Sequence, residues 1–436
     1  AQVDRPVPIC CTLHASSRSP EDPTPPAVDS PAQQLTKKAL LVLSFALVFG
    51  LGRSIFDPRS RAGGVFFDFG LLATFVLNAF IAQSTRQVRL TAGLAMAALV
   101  VELAAFRTVP HDFVLALALA ARMFGLASLF MMLAAGLRAR DEALEPAMRR
   151  LLIGLLPTFF IVLSIFGAYL SLQFHLVVWD GLLYAYETTL GFPASFAVGR
   201  VLESWPLLSS VCQVVYLLAP VGLALVYGAQ RRSGRPIVID VGPALVVTTI
   251  VGFGVYQLFP ASGPGYVFHD AYPFAPPALA TVVMRQPFPV PAPRNCVPSL
   301  HTAWALLLVW SSRGQAAWLR GVTTAFLGFT LLATMGFGEH YLPDLVIAVP
   351  FTAATQAMVA PPSPARRPVM LVGFAVTALW LVLLTTGALL VHPSALVSGG
   401  LALLTVAIGV VLSRRLWRAS AAVADTAGAT AAPQPC

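Results

Sequence analysis

Two polar clusters interrupt an otherwise apolar chain. The first, "RNCVPSLHTAWALLLVW" from Arg294 to Trp310, runs into one hydrophobic segment, and the second, "GEHYLPDLVIAVPF" from Gly338, opens another. In "EHYLPDL", His340 and Asp344 stand at i and i+4, a spacing that puts both on one face of a helix. Pro343 is tolerated there because it falls in the first helical turn. A carboxylate at that spacing can take a hydrogen bond from one imidazole nitrogen and leave the other basic and aimed outward. That is the partnership used where histidine serves as nucleophile or base. Alone, such a pair also describes a polar helix start facing water. The first cluster adds features that a water-facing pair does not need. In "CVPSLH" the proline constrains the chain, Ser299 falls at a helix N-cap and His301 lies within the first turn. The unpaired N–H groups of a helix N-terminus suit an anion, and the Arg294 guanidinium could fork onto phosphate oxygens. Together these groups describe phosphoryl transfer, in which one histidine attacks phosphorus while the other protonates the departing oxygen. The ligand types of His301, His340 and Asp344 would also suit zinc, but a zinc site leaves the anion cradle without a purpose. The expected site therefore has no metal and no cofactor.

Positioning these groups falls to a membrane-embedded frame. The chain has 436 residues, 57% hydrophobic and only 11% charged, where a soluble domain carries about a quarter charged residues. A membrane-spanning helix needs about 20 apolar residues. Runs of that kind fall at 38–52, 65–83, 89–106, 112–137, 150–173, 206–228, 237–259, 299–312, 320–337, 342–360, 368–391 and 396–413. The expectation is an all-α polytopic membrane protein of about twelve transmembrane helices. Residues 1–36, rich in Pro, Ser and Asp, and residues 414–436 read as disordered tails. Between them lie additional helices at 37–140, a core at 150–360 and two further helices at 368–413.

The net charge of +9 sits between apolar runs, as in cytoplasmic loops, so no nucleic-acid partner is expected. With the amino terminus inside, inner loops hold 18 Lys and Arg and outer loops 7. Both clusters then share the non-cytoplasmic face. The five cysteines show no paired spacing, and Cys296 reads as a small, nearly apolar residue. "DGLLYAYETTLG", 180–191, carries Asp180, Tyr184 and Glu187 on one side and reads as an amphipathic helix, either in the headgroup region or in a solvated loop. Arg122, near the middle of a span, is either a tether between helices or part of a headgroup path. Asp68 and Asp240 read as interfacial.

At "PSLH" and "GEHYLPDL" the chain resembles the second and third signatures of the type 2 phosphatidic acid phosphatase superfamily. The Leu between Ser299 and His301, "YQLFPASGPGY" at 256–266 and "DGLLYAYETTLG" are similar to the inositol phosphorylceramide synthase branch and its bacterial relatives. The resemblance covers roughly 175–355. It implies a six-helix phosphatase-like core, with His340 as phosphate-attacking nucleophile, Asp344 orienting it, His301 as general acid and Ser299 binding phosphate. The superfamily's first signature is not recognisable, and Thr334 replaces the Arg that usually stands six residues before the nucleophile. Arg294 and Arg285 are candidates to meet the phosphate charge, against the alternative of ordinary loop arginines. Tyr266 either lines the site or anchors at the interface. The implied function is a phosphotransferase or phosphatase of membrane lipids in the bacterial inner membrane, sphingolipid metabolism included, with a lipid or polyol as acceptor in the transfer case. Plain hydrolysis of a lipid phosphate or polyprenyl diphosphate is the alternative. A transporter is a second alternative, though no repeat relates the two halves of the chain.

Overall fold

The computed structural model describes residues 33–40, 42–43, 61–81, 85–106, 113–139, 143–290, 292–391 and 393–431. The long helices in chain order are α1 (Arg61–Ile81), α2 (Thr85–Phe106), α3 (Phe113–Arg138) and α4 (Leu144–Phe174). Short helices α5 (Asp180–Thr189) and α6 (Ala194–Ser204) follow, then α7 (Pro206–Leu217), α8 (Ala219–Arg232), α9 (Val241–Leu258) and the single turn α10 (Pro264–Val267). The chain continues through α11 (Leu300–Ser311), α12 (Ala317–Gly336), α13 (Leu342–Val359), α14 (Arg366–Thr386), α15 (Ala388–Val391) and α16 (Ala395–Ala431). The two strands are two residues each: β1 (Val177–Val178) pairs antiparallel with β2 (Gln286–Pro287).

The protein is an all-α polytopic membrane protein. Among the described residues nine helices are long and apolar enough to cross a bilayer, ten if α7 and α8 form one span bent by 55°. The run expected to span at 299–312 is the apolar α11, twelve residues long and shorter than a full crossing. Ten of the fifteen residues of the span expected at 38–52, and all but 33–36 of the tail expected at 1–36, lie outside the described residues. One expectation is corrected at the other end. α16 runs on to Ala431, so most of the stretch read as a tail from Arg414 is helical. Its alanine-rich sequence has high intrinsic helix propensity, which outweighs the polar residues that suggested disorder.

Packing centres on α13. Of its spanning window 83% is buried, against 11% for α2, which therefore lies at the lipid-facing edge. Phe351 of α13 packs in one apolar cluster with Phe160 of α4, Leu223 of α8, Tyr256 of α9 and Trp304 of α11, and α1 adds Ala73 and Leu77. In lipid, apolar burial drives helix association weakly, so small residues and interhelical hydrogen bonds matter more. Thr248 of α9 meets Thr355 of α13 at 2.7 Å, and the Trp304 indole donates to Thr249 at 3.0 Å. α1 and α3 come so close that a Cβ on Gly125 would lie 2.4 Å from the Leu71 backbone. Arg122 donates through Nε and Nη2 to the two carboxylate oxygens of Asp68, each at 2.8 Å. Arg122 is thus the tether between α1 and α3, and Asp68, 3% exposed, is its partner and no interfacial residue.

Candidate active site

The site is assembled around α5. Its sequence suggested a helix lying at an interface or in water, but nine of its ten residues are buried. The reason is what its carboxylates accept. Asp180 takes the Ser262 N–H at 3.0 Å, the Gly263 N–H at 2.7 Å and the Tyr341 hydroxyl at 3.1 Å. Glu187 takes the Ser195 N–H at 3.1 Å, the Ser195 hydroxyl at 2.6 Å and the Leu342 N–H at 2.8 Å. Each acid thus saturates donors that a fold would otherwise bury unpaired. The opposite side of α5 packs Leu183 and Tyr186 into the core, with Tyr186 edge-on to Trp380. Burial pushes the Asp180 carboxyl up to about 6 and the Glu187 carboxyl up to about 7, against hydrogen bonds that pull both down.

The loop that α5 grips carries the first histidine of the site. The turn at Ser262–Gly265 lies backbone to backbone against the bend at Gly338–Glu339, and the Gly265 N–H donates to the Gly338 carbonyl at 2.9 Å. Gly263 has φ +103°, and a Cβ there would sit 2.5 Å from the Gly338 oxygen, so only glycine fits. The Thr334 carbonyl at the end of α12 accepts the N–H groups of Glu339 at 3.1 Å and His340 at 3.0 Å. His340 therefore stands in a bend ahead of α13, which corrects the expectation that it shares a helix face with Asp344. The Asp344 carboxylate instead reaches back from the first turn of α13. It accepts the Tyr341 N–H at 2.8 Å and approaches His340 Nδ1 at 3.4 Å. His340 is 2% exposed and Asp344 0%.

The second histidine comes from α11. Ser299 is its N-cap, as expected: Oγ accepts the Thr302 N–H at 3.3 Å, and the Ser299 N–H donates to the Asp344 carbonyl at 3.1 Å. That backbone link ties the mouths of α11 and α13 together and brings the His301 and His340 rings to 6.4 Å between centroids. His301 also stacks on Tyr216 at 4.1 Å and 24°, and its Nδ1 lies 3.1 Å from the Tyr216 hydroxyl. Tyr216 ends α7. Pro220, four residues on, has no N–H for the Tyr216 carbonyl and its ring crowds that carbonyl, which is why the span bends there. A cavity of about 240 Å³ opens beside His301, lined also by Phe66, Asn295 and Trp304.

Tyr266 belongs to this site and not to an interfacial belt, since its hydroxyl donates to Glu339 Oε1 at 3.0 Å. Burial raises the Glu339 carboxyl above its usual range. The two arginines expected to meet phosphate are elsewhere engaged. Arg294, 1% exposed, gives Nε to the His175 carbonyl, Nη1 to Ser262 Oγ and the Ala292 carbonyl, and Nη2 to the carbonyls of Phe288 and Val290. With five donors and five acceptors it is a loop strut. Arg285 is exposed, lies over the Trp179 ring and donates to the Thr385 carbonyl at 3.0 Å. Cys296 proves closer to the chemistry than its sequence context suggested. Ligand-type atoms of Cys296, His340 and Asp344 lie within 4.8 Å of one another, and its thiol donates to the Glu339 carbonyl at 3.1 Å.

Tyr216 and Asn295 were not singled out in the sequence. Tyr216 carried one signal, a polar ring four residues before a proline inside an apolar span. Asn295 carried none beyond its place in "RNC", yet its Oδ1 is buried with no hydrogen-bond partner at the cavity wall. Neither the curated proteins nor the solved structures offer a match to the chain. Residues 181–358, the segment that holds both histidines and all of α5 after Asp180, match the family model of the PAP2 superfamily.

Proposed function

We propose that the protein is an integral-membrane enzyme that cleaves a phosphate ester of a lipid through a phosphohistidine on His340. The observation that carries this reading is the His301–His340 pair, 6.4 Å apart, with a carboxylate beside one ring and a hydroxyl beside the other. Asp344 beside Nδ1 stabilises the imidazolium that forms when Nε2 attacks phosphorus. As the new N–P bond forms the P–O bond breaks, and His301 passes its proton to the departing oxygen. In the second half His301 takes the proton back from water or an acceptor hydroxyl, whose oxygen displaces His340 from phosphorus. The matched superfamily supports phosphatase or phosphotransferase chemistry on lipid phosphates.

Tyr216 suits the proton-carrying role of His301. A hydroxyl can donate to Nδ1 of the neutral ring and accept from Nδ1–H of the charged ring. It therefore stays bonded through both halves of the cycle without favouring the charged form as strongly as a carboxylate does. Phosphate oxygens would be met by the N-terminus of α11, by Ser299 and by the side-chain amide of Asn295. Within this function we favour transfer of a phosphorylated headgroup to a lipid or polyol acceptor, as the inositol phosphorylceramide synthase-like residues suggest, over plain hydrolysis of a lipid phosphate or polyprenyl diphosphate. The face that holds the site is the non-cytoplasmic one of a bacterial inner membrane.

A panel assay of the detergent-purified protein decides between the two. Phosphatidic acid, a polyprenyl diphosphate and phosphatidylinositol with ceramide are each supplied, and free phosphate and headgroup-bearing lipid are measured. Release of a phosphorylated headgroup onto ceramide supports transfer, phosphate release alone supports hydrolysis, and turnover that survives His340→Ala removes the phosphohistidine. The Cys296–His340–Asp344 cluster favours a second reading, a divalent metal held by thiolate, imidazole and carboxylate. Activity lost in chelator and restored by zinc would establish it.

A further inference from the structure

The cavity beside His301 is polar at the histidine and apolar along its walls. Among the described residues its lining holds no Asp, Glu, Lys or Arg. Phe66 comes from α1, Ile165 and Ala168 from α4, and Phe253 from α9. Phe66 reaches the site itself, with its ring 6.3 Å from that of His301. α1 and α4 both precede residue 181, so four of the twelve lining residues, Phe66, Ser164, Ile165 and Ala168, come from helices outside the segment matched to the PAP2 superfamily.

The same wall opens towards lipid. On α4, Phe166 and Tyr169 alternate with Ile165 and Ala168 and are 45% and 55% exposed. On α9, Ile250, one turn before Phe253, is 54% exposed. Below the opening the helices close up, since a Cβ on Gly167 would fall 2.3 Å from the Phe253 ring. The space is therefore a cleft with an apolar floor, one end on a catalytic histidine and a side facing hydrocarbon. Ligand sites of this make-up hold an apolar body and fix it by a few polar groups at one end.

We infer that this cleft binds the hydrocarbon tail of the lipid phosphate, and that α1 and α4 set which tails are accepted. The inference rests on the lipid-phosphate reading of the site. A polar acceptor would meet no charged side chain among the described residues there, whereas a chain leaving the phosphate at His301 meets Phe66, Ile165 and Phe253. Burying a methylene that leaves a bilayer stabilises far less than burying one that leaves water. Discrimination must then come chiefly from shape, so a side chain that fills the cleft should exclude a long tail more than a short one.

Two measurements test it, both on the full-length protein in detergent. First, kcat/KM is measured for long-chain and short-chain phosphatidic acid, for wild type, Ala168→Phe and the milder Ala168→Met. Filling the cleft should lower the long-to-short ratio at least tenfold for Phe and by a smaller factor for Met. Second, a phosphatidic acid with a photoreactive diazirine near its acyl terminus is crosslinked to the wild-type protein, and labelled peptides are identified. Label should fall on Phe66 and on Ser164–Ala168, and unlabelled phosphatidic acid should compete it away. A ratio unmoved in both variants, or label spread as heavily over the lipid-facing α2 as over α4, overturns the cleft. Phosphatidic acid turnover that persists in His340→Ala, or is absent in the wild type on every lipid phosphate tried, removes instead the reading on which the cleft depends.

Discussion

At the scale of single residues, the two histidines differ in their company. His340 has Asp344 at 3.4 Å, and His301 has the Tyr216 hydroxyl at 3.1 Å. Removing that hydroxyl while keeping the ring tests the difference. Tyr216→Phe should slow turnover of alkyl phosphates by about tenfold, in the range of one lost hydrogen bond to a catalytic group. It should barely slow a nitrophenyl phosphate, whose leaving group departs without a proton. Equal losses on both substrates would make Tyr216 a packing residue only. The Ser299 cap and the nearness of Asp344 to His340 were legible because short-range spacing carries both, although the pair does not share a helix face. Tyr216 was not, because its partner lies 85 positions away in the chain, and the proline four residues on says nothing of what the ring faces. Arg294 misled for a related reason. A guanidinium near a motif looks the same in sequence whether its five donors face a ligand or five protein oxygens.

At the scale of elements, α5 and the Ser262–Gly265 turn hold the site. The period of α5 was readable, but its setting was not. The same polar face that would suit water instead meets N–H groups of the nearby Ser195 and of two distant segments, Ser262–Gly263 and Leu342. That burial has a consequence for stability. Asp180 and Glu187 have ordinary values of 3.8 and 4.5 and are raised in the fold to about 6 and about 7, with the Asp344 charge adding to the effect of burial. Between about pH 4 and about pH 7 the folded protein then holds more protons than the unfolded chain, so stability falls as pH rises through that window and levels off above it. Thermal unfolding of the detergent-purified protein should show a midpoint that declines from pH 4 to pH 7. Glu187→Gln, which keeps an acceptor oxygen but cannot ionise, should flatten the upper part of the decline. A midpoint that climbs across the window would contradict the assignment.

At the scale of the whole molecule, hydropathy alone was enough to place eleven of the twelve expected spans on helices, the bent α7–α8 pair counted once and α11 included. The far end of α16 was missed because alanine-rich sequence scores as neither apolar span nor ordered loop. The pairing of Arg122 with Asp68 was not legible either, since the two stand 54 positions apart on separate helices. Orientation is the whole-molecule property that the Lys and Arg distribution speaks to. In a background without native cysteines, a cysteine at Ala271 should react with an impermeant maleimide in intact cells, and one at Gly234 should not. The reverse pattern would put the site on the cytoplasmic face. The central claim, that His340 attacks phosphorus and His301 handles the proton, is tested most directly by rate against leaving-group pKa, read alongside acid-labile phosphate incorporation. His340→Ala should abolish both turnover and the phosphoenzyme, and Asp344→Asn should lower the rate about a hundredfold or more through loss of tautomer and orientation. His301→Ala should keep the phosphoenzyme with a nitrophenyl leaving group and lose rate steeply as leaving-group pKa rises. A phosphoenzyme that persists in His340→Ala and vanishes in His301→Ala would reverse the two roles and contradict the mechanism.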